Sequence, residues 1–322
     1  MFGKRADGFL VRTDDPIMAL TPYLMPMRCD AQVMLNLKLD YEKMARYIVA
    51  KGAEGYKMTF MDIVFAAYVR TVSQIPELNR FIANKRMYAR KELAISFVVL
   101  KDTQDGSVME NTAKCKFDPR DTIFDVAART AEAIELSRKE EADNSTLKVA
   151  KLLMNPFLAT IIVAAGRILD RYGLLPKAII EASPFHTSLS FTNMASIGMP
   201  SVNHHIYNFG TTSLFLSIGS VERTIGLGSD GKPQRKRLLP VGITADERVC
   251  AGMVYAKMVA MVSRYFENPA LLEAPPEKVF FDQGHSYGLP PAPSQKRFRR
   301  IRRVARLLRK VKRSDASDNL AS

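Results

Sequence analysis

Between Thr244 and Gly252 the chain sets Asp246, Glu247, Arg248 and Cys250 close together in a short polar loop. A solvated glutamate titrates near about 4.3 and is a weak base at neutral pH; burial in a channel raises such a group to about 6–7, where it can take a proton from an acceptor. Arg248 opposes that rise wherever the two side chains approach. Cys250 offers a thiol, either as an acyl-accepting nucleophile or as a small buried hydrophobe. Thr192 and Asn193 end the run Ser190-Phe191-Thr192-Asn193. His204 and His205 share a loop after Pro200 and could bring imidazole to a site elsewhere, and His186 reads as a strand-edge residue. No spacing suggests a metal site. Gly226-Leu227-Gly228 lacks the Lys-Ser/Thr of a phosphate loop and the third glycine of a dinucleotide fingerprint.

The elements that must position these residues are legible in the apolar pattern. Leu239, Val241 and Ile243 alternate as a half-buried strand leading into the loop. After Gly252, the residues Met253, Ala256, Val259, Ala260, Ser263 and Tyr265/Phe266 recur at helical spacing until Asn268-Pro269 stops them. Upstream, Val33, Leu35 and Leu37 predict a strand, and Asp40 caps a helix running to Gly52. Thr59 and Asp62 have capping-box spacing before a helix that ends ahead of Pro76-Glu77-Leu78-Asn79. Ala94 to Lys101 reads as a buried strand, Asp121 begins another helix, Leu214 to Gly219 is a strand, and residues 228–233 form a turn. Residues 145–185 are apolar and helical in pattern, broken at Pro156, Gly173 and Pro176. They read as extra packing, subunit contact or a membrane-dipping role.

Taken in order, these segments resemble the catalytic domain of the dihydrolipoyl acyltransferases of 2-oxoacid dehydrogenase complexes, in the chloramphenicol acetyltransferase-like superfamily. The resemblance spans roughly residues 10 to 285, and set against that family residues 145–185 read as a helical insertion. It rests on the Pro-Glu-Leu-Asn phrase, the Ser190–Asn193 strand, the loop and the Asn268-Pro269 ending. The family's loop is Asp-His-Arg-x-x-Asp-Gly. Asp246, Arg248 and Gly252 match it, while Glu247 stands in place of the catalytic His and Ala251 in place of the supporting Asp. The resemblance implies an α+β, two-layer fold with a mixed β-sheet and helices packed on one side. It implies a homotrimer with its site between subunits, and acyl transfer between coenzyme A or a carrier thioester and a thiol or hydroxyl acceptor. Coenzyme A or acyl-coenzyme A is then a substrate, and no cofactor is covalently bound. Glu247 falls at the base and Thr192 at the hydroxyl that donates to the developing oxyanion; Asp246, Arg248, Gly252 and Asn193 are structural members of the motif. Nothing before residue 30 resembles a lipoyl or subunit-binding module, so a catalytic-type domain alone is expected. The alternative is a non-catalytic trimeric scaffold or binding protein.

The chain has 322 residues, 47% of them hydrophobic, enough for a sizeable core. Three cysteines without metal-like spacing suit a reducing compartment. The N-terminus has no apolar signal region, and the apolar run Leu152 to Gly166 is too short and interrupted for a spanning helix, so the expected location is cytoplasmic. The net charge of +14 is uneven: residues 295–322 hold about +9 of it. After a Pro-rich linker at 286–295, residues 296–313 form a basic amphipathic pattern. It carries Arg299, Arg300, Arg302, Arg303, Arg306, Arg309 and Lys310 around a stripe of Phe298, Ile301, Leu308 and Val311. That pattern suits peripheral attachment to an anionic membrane surface or a protein partner. Nucleic acid is the weaker match, because phosphate contacts need no apolar stripe. Residues 314–322 are expected to be a disordered tail.

Overall fold

In the computed structural model, which describes residues 5–102, 108–139, 154–227 and 231–284, the chain begins with strand β1 (Gly8–Leu10) and helix α1 (Pro16–Leu24). Asp15 caps α1 by accepting from the Ile17 and Met18 amides. The alternating run becomes β2 (Gln32–Asp40), with Val33, Leu35 and Leu37 half-buried and Met34, Asn36 and Lys38 exposed. Asp40 caps α2 (Tyr41–Ala53). Thr59 and Asp62 close a reciprocal capping box at the start of α3 (Phe60–Gln74), which is buried from Asp62 to Ser73. Strands β3 (Arg80–Ala83), β4 (Arg86–Arg90), β5 (Leu93–Asp102) and β6 (Val108–Phe117) follow, then α4 (Ile123–Lys139). The box that starts α4 is Thr122 with Asp125, one residue beyond the expected Asp121. Asp121 instead accepts from the Asp118 amide and pairs with Arg129.

The segment read as an insertion holds α5 (Pro156–Arg171) and α6 (Lys177–Ala182); its residues 145–153 lie outside the described residues. The chain then lays down β7 (Leu189–Asn193), β8 (Leu214–Ile218), β9 (Glu222–Leu227) and β10 (Pro233–Asp246), and ends its regular structure in α7 (Gly252–Glu267). Part of the 228–233 turn, the linker, the basic segment 296–313 and the tail also lie outside the described residues.

The main sheet has the order β2-β10-β8-β7-β5-β6, with β9 against the first half of β10. β5, β7 and β8 run parallel; the other pairs are antiparallel. A small sheet, β1-β4-β3, stands apart. Side chains of one parity, such as Ile95, Phe97, Phe191, Leu216, Val241 and Ile243, join the core made with α2, α3, α4 and α7. Phe65 of α3 centres that layer, 4.9 Å from the Phe191 ring and 5.4 Å from Phe97. The opposite parity carries the small polar residues Ser96, Ser190, Thr192, Ser217 and Thr244 beside Phe215, Val98 and Met34. This is the two-layer α+β arrangement, with a mixed sheet.

One face differs from expectation. The buried stripe of α7 is Tyr255, Met258, Val262 and Phe266, while Met253 and Ala256 are exposed. The helix is apolar on two adjacent faces, and periodicity alone does not say which one meets the core. No helix among the described residues is long and apolar enough to cross a membrane.

Candidate active site

The last residue of β10 and the first of α7 are joined by a loop fastened from beneath. Asp246 is fully buried and receives the Arg248 guanidinium as a fork, Nε at 2.7 Å and Nη2 at 2.6 Å. Arg28 Nε approaches the same carboxylate at 3.4 Å, and Arg248 Nη1 donates to the Met25 carbonyl at 2.9 Å. The Tyr255 hydroxyl donates to the Asp246 carbonyl, and the Glu247 amide to Ala31. These ties leave Glu247 as the exposed member of the Asp-Glu-Arg triple. Its side chain borders a cavity of about 600 Å³ whose wall is mainly apolar: Ile17, Met18, Val33, Leu35, Tyr255 and Val259.

The rest of the motif is quieter. Cys250 borders the same cavity but is 3% exposed, and burial pushes its thiol up to about 12, so it is protonated and a poor nucleophile at neutral pH. Ala251 occupies the N-cap of α7 and supplies no side-chain acceptor. A Cβ on Gly252 would meet nothing within 4 Å, so packing within this chain does not demand glycine there.

Thr192 and Asn193 sit elsewhere. Thr192 is opposite Ser217, and Ser217 is opposite Gly242, five residues before Glu247. At a rise of about 3.3 Å per residue, Thr192 lies roughly 17 Å along the strands from Glu247 and two strands across. Thr192 Oγ1 is 3.7 Å from Met194 Sδ, and the buried Asn193 Oδ1 has no hydrogen-bond partner among the described residues. One chain therefore does not bring Glu247 and Thr192 together.

The imidazoles do not fill the gap. His204 stacks on Phe215 at 4.1 Å, His205 packs beside it, and neither borders the Glu247 cavity. His186, expected at a strand edge, is fully buried, with Asp170 of α5 against its ring. Its Nδ1 is 2.8 Å from Ser183 Oγ and its Nε2 3.2 Å from Asp170 Oδ1 of α5. The order Ser-His-Asp resembles a proton relay, yet the ring is sealed and none of the cavities described here is bordered by Ser183. The cluster acts as a latch: Arg5 Nη2 also reaches Asp170 at 2.6 Å, and its Nε pairs with Asp7. Burial disfavours charge on Asp170, but the His186 hydrogen bond and the Arg5 charge outweigh it and hold the carboxyl at about 2. The segment containing Asp170 shows no local pattern that would have exposed this pairing in the sequence. Among the described residues, no three His, Cys, Asp or Glu side chains are placed to hold a metal ion.

No protein-family model matches the chain, and no curated protein matches it. Solved structures do. The cubic core of a pyruvate dehydrogenase multienzyme complex superposes with a TM-score of 0.51 at 15% identity, over 79% of this chain and 87% of that one. The dihydrolipoamide acetyltransferase of Azotobacter vinelandii gives 0.51 at 16% identity, over 79% and 87%. A probable dihydrolipoamide acetyltransferase from Listeria monocytogenes gives 0.50 at 14% identity, over 81% and 95%. At these identities the likeness is one of architecture, and the chain has the chloramphenicol acetyltransferase-like fold of the dihydrolipoamide acetyltransferase cores.

Proposed function

We propose that this chain transfers acyl groups between coenzyme A, or a carrier thioester, and a thiol or hydroxyl acceptor, at a site completed by a second copy of itself. One observation carries the reading: a loop fastened by the buried Asp246–Arg248 fork presents Glu247 at the border of a largely apolar cavity. In this reading the acceptor lies in the cavity and gives its proton to Glu247 as it attacks the thioester carbonyl. The carbon–sulfur bond then breaks, and the departing thiolate recovers the proton. Thr192 of the neighbouring copy donates to the oxyanion. Coverage by that copy would exclude water, the condition under which a carboxylate becomes a useful base. The family's trimer is the assembly we infer. The uncovered apolar face of α7, with Met253 and Ala256 exposed, supports a partner there.

The test is coenzyme A release from short acyl-coenzyme A thioesters with free thiol acceptors. Glu247→Ala is expected to lower turnover by about 10²–10⁴-fold, and Thr192→Ala by about 10²–10³-fold. Undiminished turnover in both variants would remove these residues from the mechanism. A second reading, a non-catalytic trimeric scaffold docked through 296–313, draws on the lack of any imidazole bordering the Glu247 cavity among the described residues. It expects no release from the folded protein, and flotation on anionic vesicles that is lost when residues 295–322 are removed.

A further inference from the structure

A second cavity, of about 460 Å³, borders the other flank of the same loop, and its lining carries Arg28, Arg248, Lys85, Arg167, Arg171 and the carboxylate of Asp170. The charges on its floor already have partners inside the protein. Arg28 and Arg248 share Asp246, and Asp170 is held by Arg5 and His186. Those at the rim differ. Lys85, Arg167 and Arg171 are exposed, and none has a carboxylate partner among the described residues. Arg171 Nε donates to Asn84 Oδ1 at 3.0 Å, and Lys85 Nζ stands 5.0 Å above the Tyr23 ring. Arg167 and Arg171 are one turn apart on α5, a spacing at which like charges repel. The C-terminal end of a helix attracts cations, but that does not account for Lys85, which arrives from a different element.

The backbone around Lys85 points the same way. Asn84 and Lys85 form the two-residue turn between β3 and β4, with φ of 47° and 60°. Both values are left-handed, and the second position of such a turn favours glycine. A lysine there is held in an uncommon conformation, and the outcome is an ammonium at the mouth of a basic cavity.

We propose that this cavity binds a phosphate-bearing ligand, its dianion seated among Lys85, Arg167 and Arg171. Guanidinium forks match phosphate oxygens in pairs, and three unpaired cations call for about two negative charges. The proposal does not depend on Glu247 acting as a base. The phosphate has two sources, a soluble ester or a lipid headgroup. Exposed Tyr23 and Met27 lie beside this rim and would meet the apolar part of a lipid, which a soluble ester does not need.

The test uses the full chain and inorganic phosphate, followed by thermal unfolding and calorimetry at constant ionic strength with chloride as the control. Phosphate is expected to raise the melting temperature and chloride not. Loss of each rim cation to alanine is expected to weaken binding roughly tenfold. Lys85→Gly separates structure from binding: it relieves the left-handed turn and so raises the melting temperature of the free protein, yet it weakens the phosphate response. In a second arm, wild type and the Lys85→Ala/Arg167→Ala/Arg171→Ala protein are mixed with phosphatidic acid or phosphatidylserine vesicles. Both carry the same residues 285–322, so a difference between them reports the rim alone. A rim-dependent preference for phosphatidic acid identifies a lipid source; a rim-dependent phosphate response without it identifies a soluble ester. A phosphate effect no larger than that of chloride, together with vesicle binding unchanged in the triple variant, overturns the proposal.

Discussion

Arg248 and Asp246, two residues apart, form a buried fork at 2.7 and 2.6 Å, and that pair is what aims Glu247 outward. The carboxylate also faces Arg28, so it is the shared counter-charge for two buried guanidiniums. Asp246→Asn keeps the shape and removes the charge. Breaking a buried pair from one side costs about 3–5 kcal/mol, because the remaining charge stays buried. Urea unfolding should show that loss. A cost below about 1 kcal/mol would mean that the fork is solvated and does not hold the loop.

Ala251 predicts a gain. It stands at the N-cap of α7 with extended backbone (φ −66°, ψ 154°) and no side-chain acceptor for the first amides. Ala251→Asp restores a cap and places a negative charge at the positive end of the helix, worth about 1 kcal/mol. The expected result is a melting temperature higher by about 2–4 °C. An unchanged or lower value would show that another group already satisfies those amides.

Asp170 makes stability depend on acid. Its carboxyl is held at about 2 in the fold against an ordinary 3.8, since His186 and Arg5 outweigh its burial. A depressed carboxyl stabilises the fold above its unfolded value, and that contribution disappears as pH falls through the folded one. The latch should therefore lose about 2 kcal/mol between about pH 4 and pH 2. Asp121 works in the opposite sense: burial, only partly offset by Arg129, raises it to about 6, so its protonation favours the fold between about pH 6 and pH 4. The two windows do not overlap. Unfolding free energies of wild type and Asp170→Asn should converge below pH 4 and stay parallel above it. Curves that remain parallel to pH 2 would remove Asp170 as the cause.

The sequence exposes what depends on neighbours along the chain. Alternation in Val33–Leu37, the Thr59–Asp62 box and the Asp40 cap each rest on local backbone chemistry, and each is found in the fold. It exposes less of what depends on approach in space. The two apolar faces of α7 have similar composition, so the buried one is decided by the sheet beneath. The Asp170–His186 contact joins α5 to the loop before β7, and neither residue has a local signature. Lys85, Arg167 and Arg171 reach one cavity from two elements far apart in sequence. The motif loop was legible as a loop, but not that Glu247 and Thr192 stand roughly 17 Å apart along one sheet and two strands across.

That separation gives the most direct test of the proposed site. If Glu247 of one copy works with Thr192 of the next, Glu247→Ala and Thr192→Ala chains carry complementary defects. In a closed cyclic assembly built from equal amounts of both, a site is intact only when its Glu247 comes from a Thr192→Ala chain and its Thr192 from a Glu247→Ala chain. Random mixing makes about one site in four intact. Co-expression should then restore about a quarter of wild-type coenzyme A release, while each variant alone stays about a hundredfold or more below it. Mixed assemblies no more active than the average of the two variants would mean that the residues do not share a site. The reading of Thr192 as the oxyanion donor would then be withdrawn, whatever Glu247 does by itself.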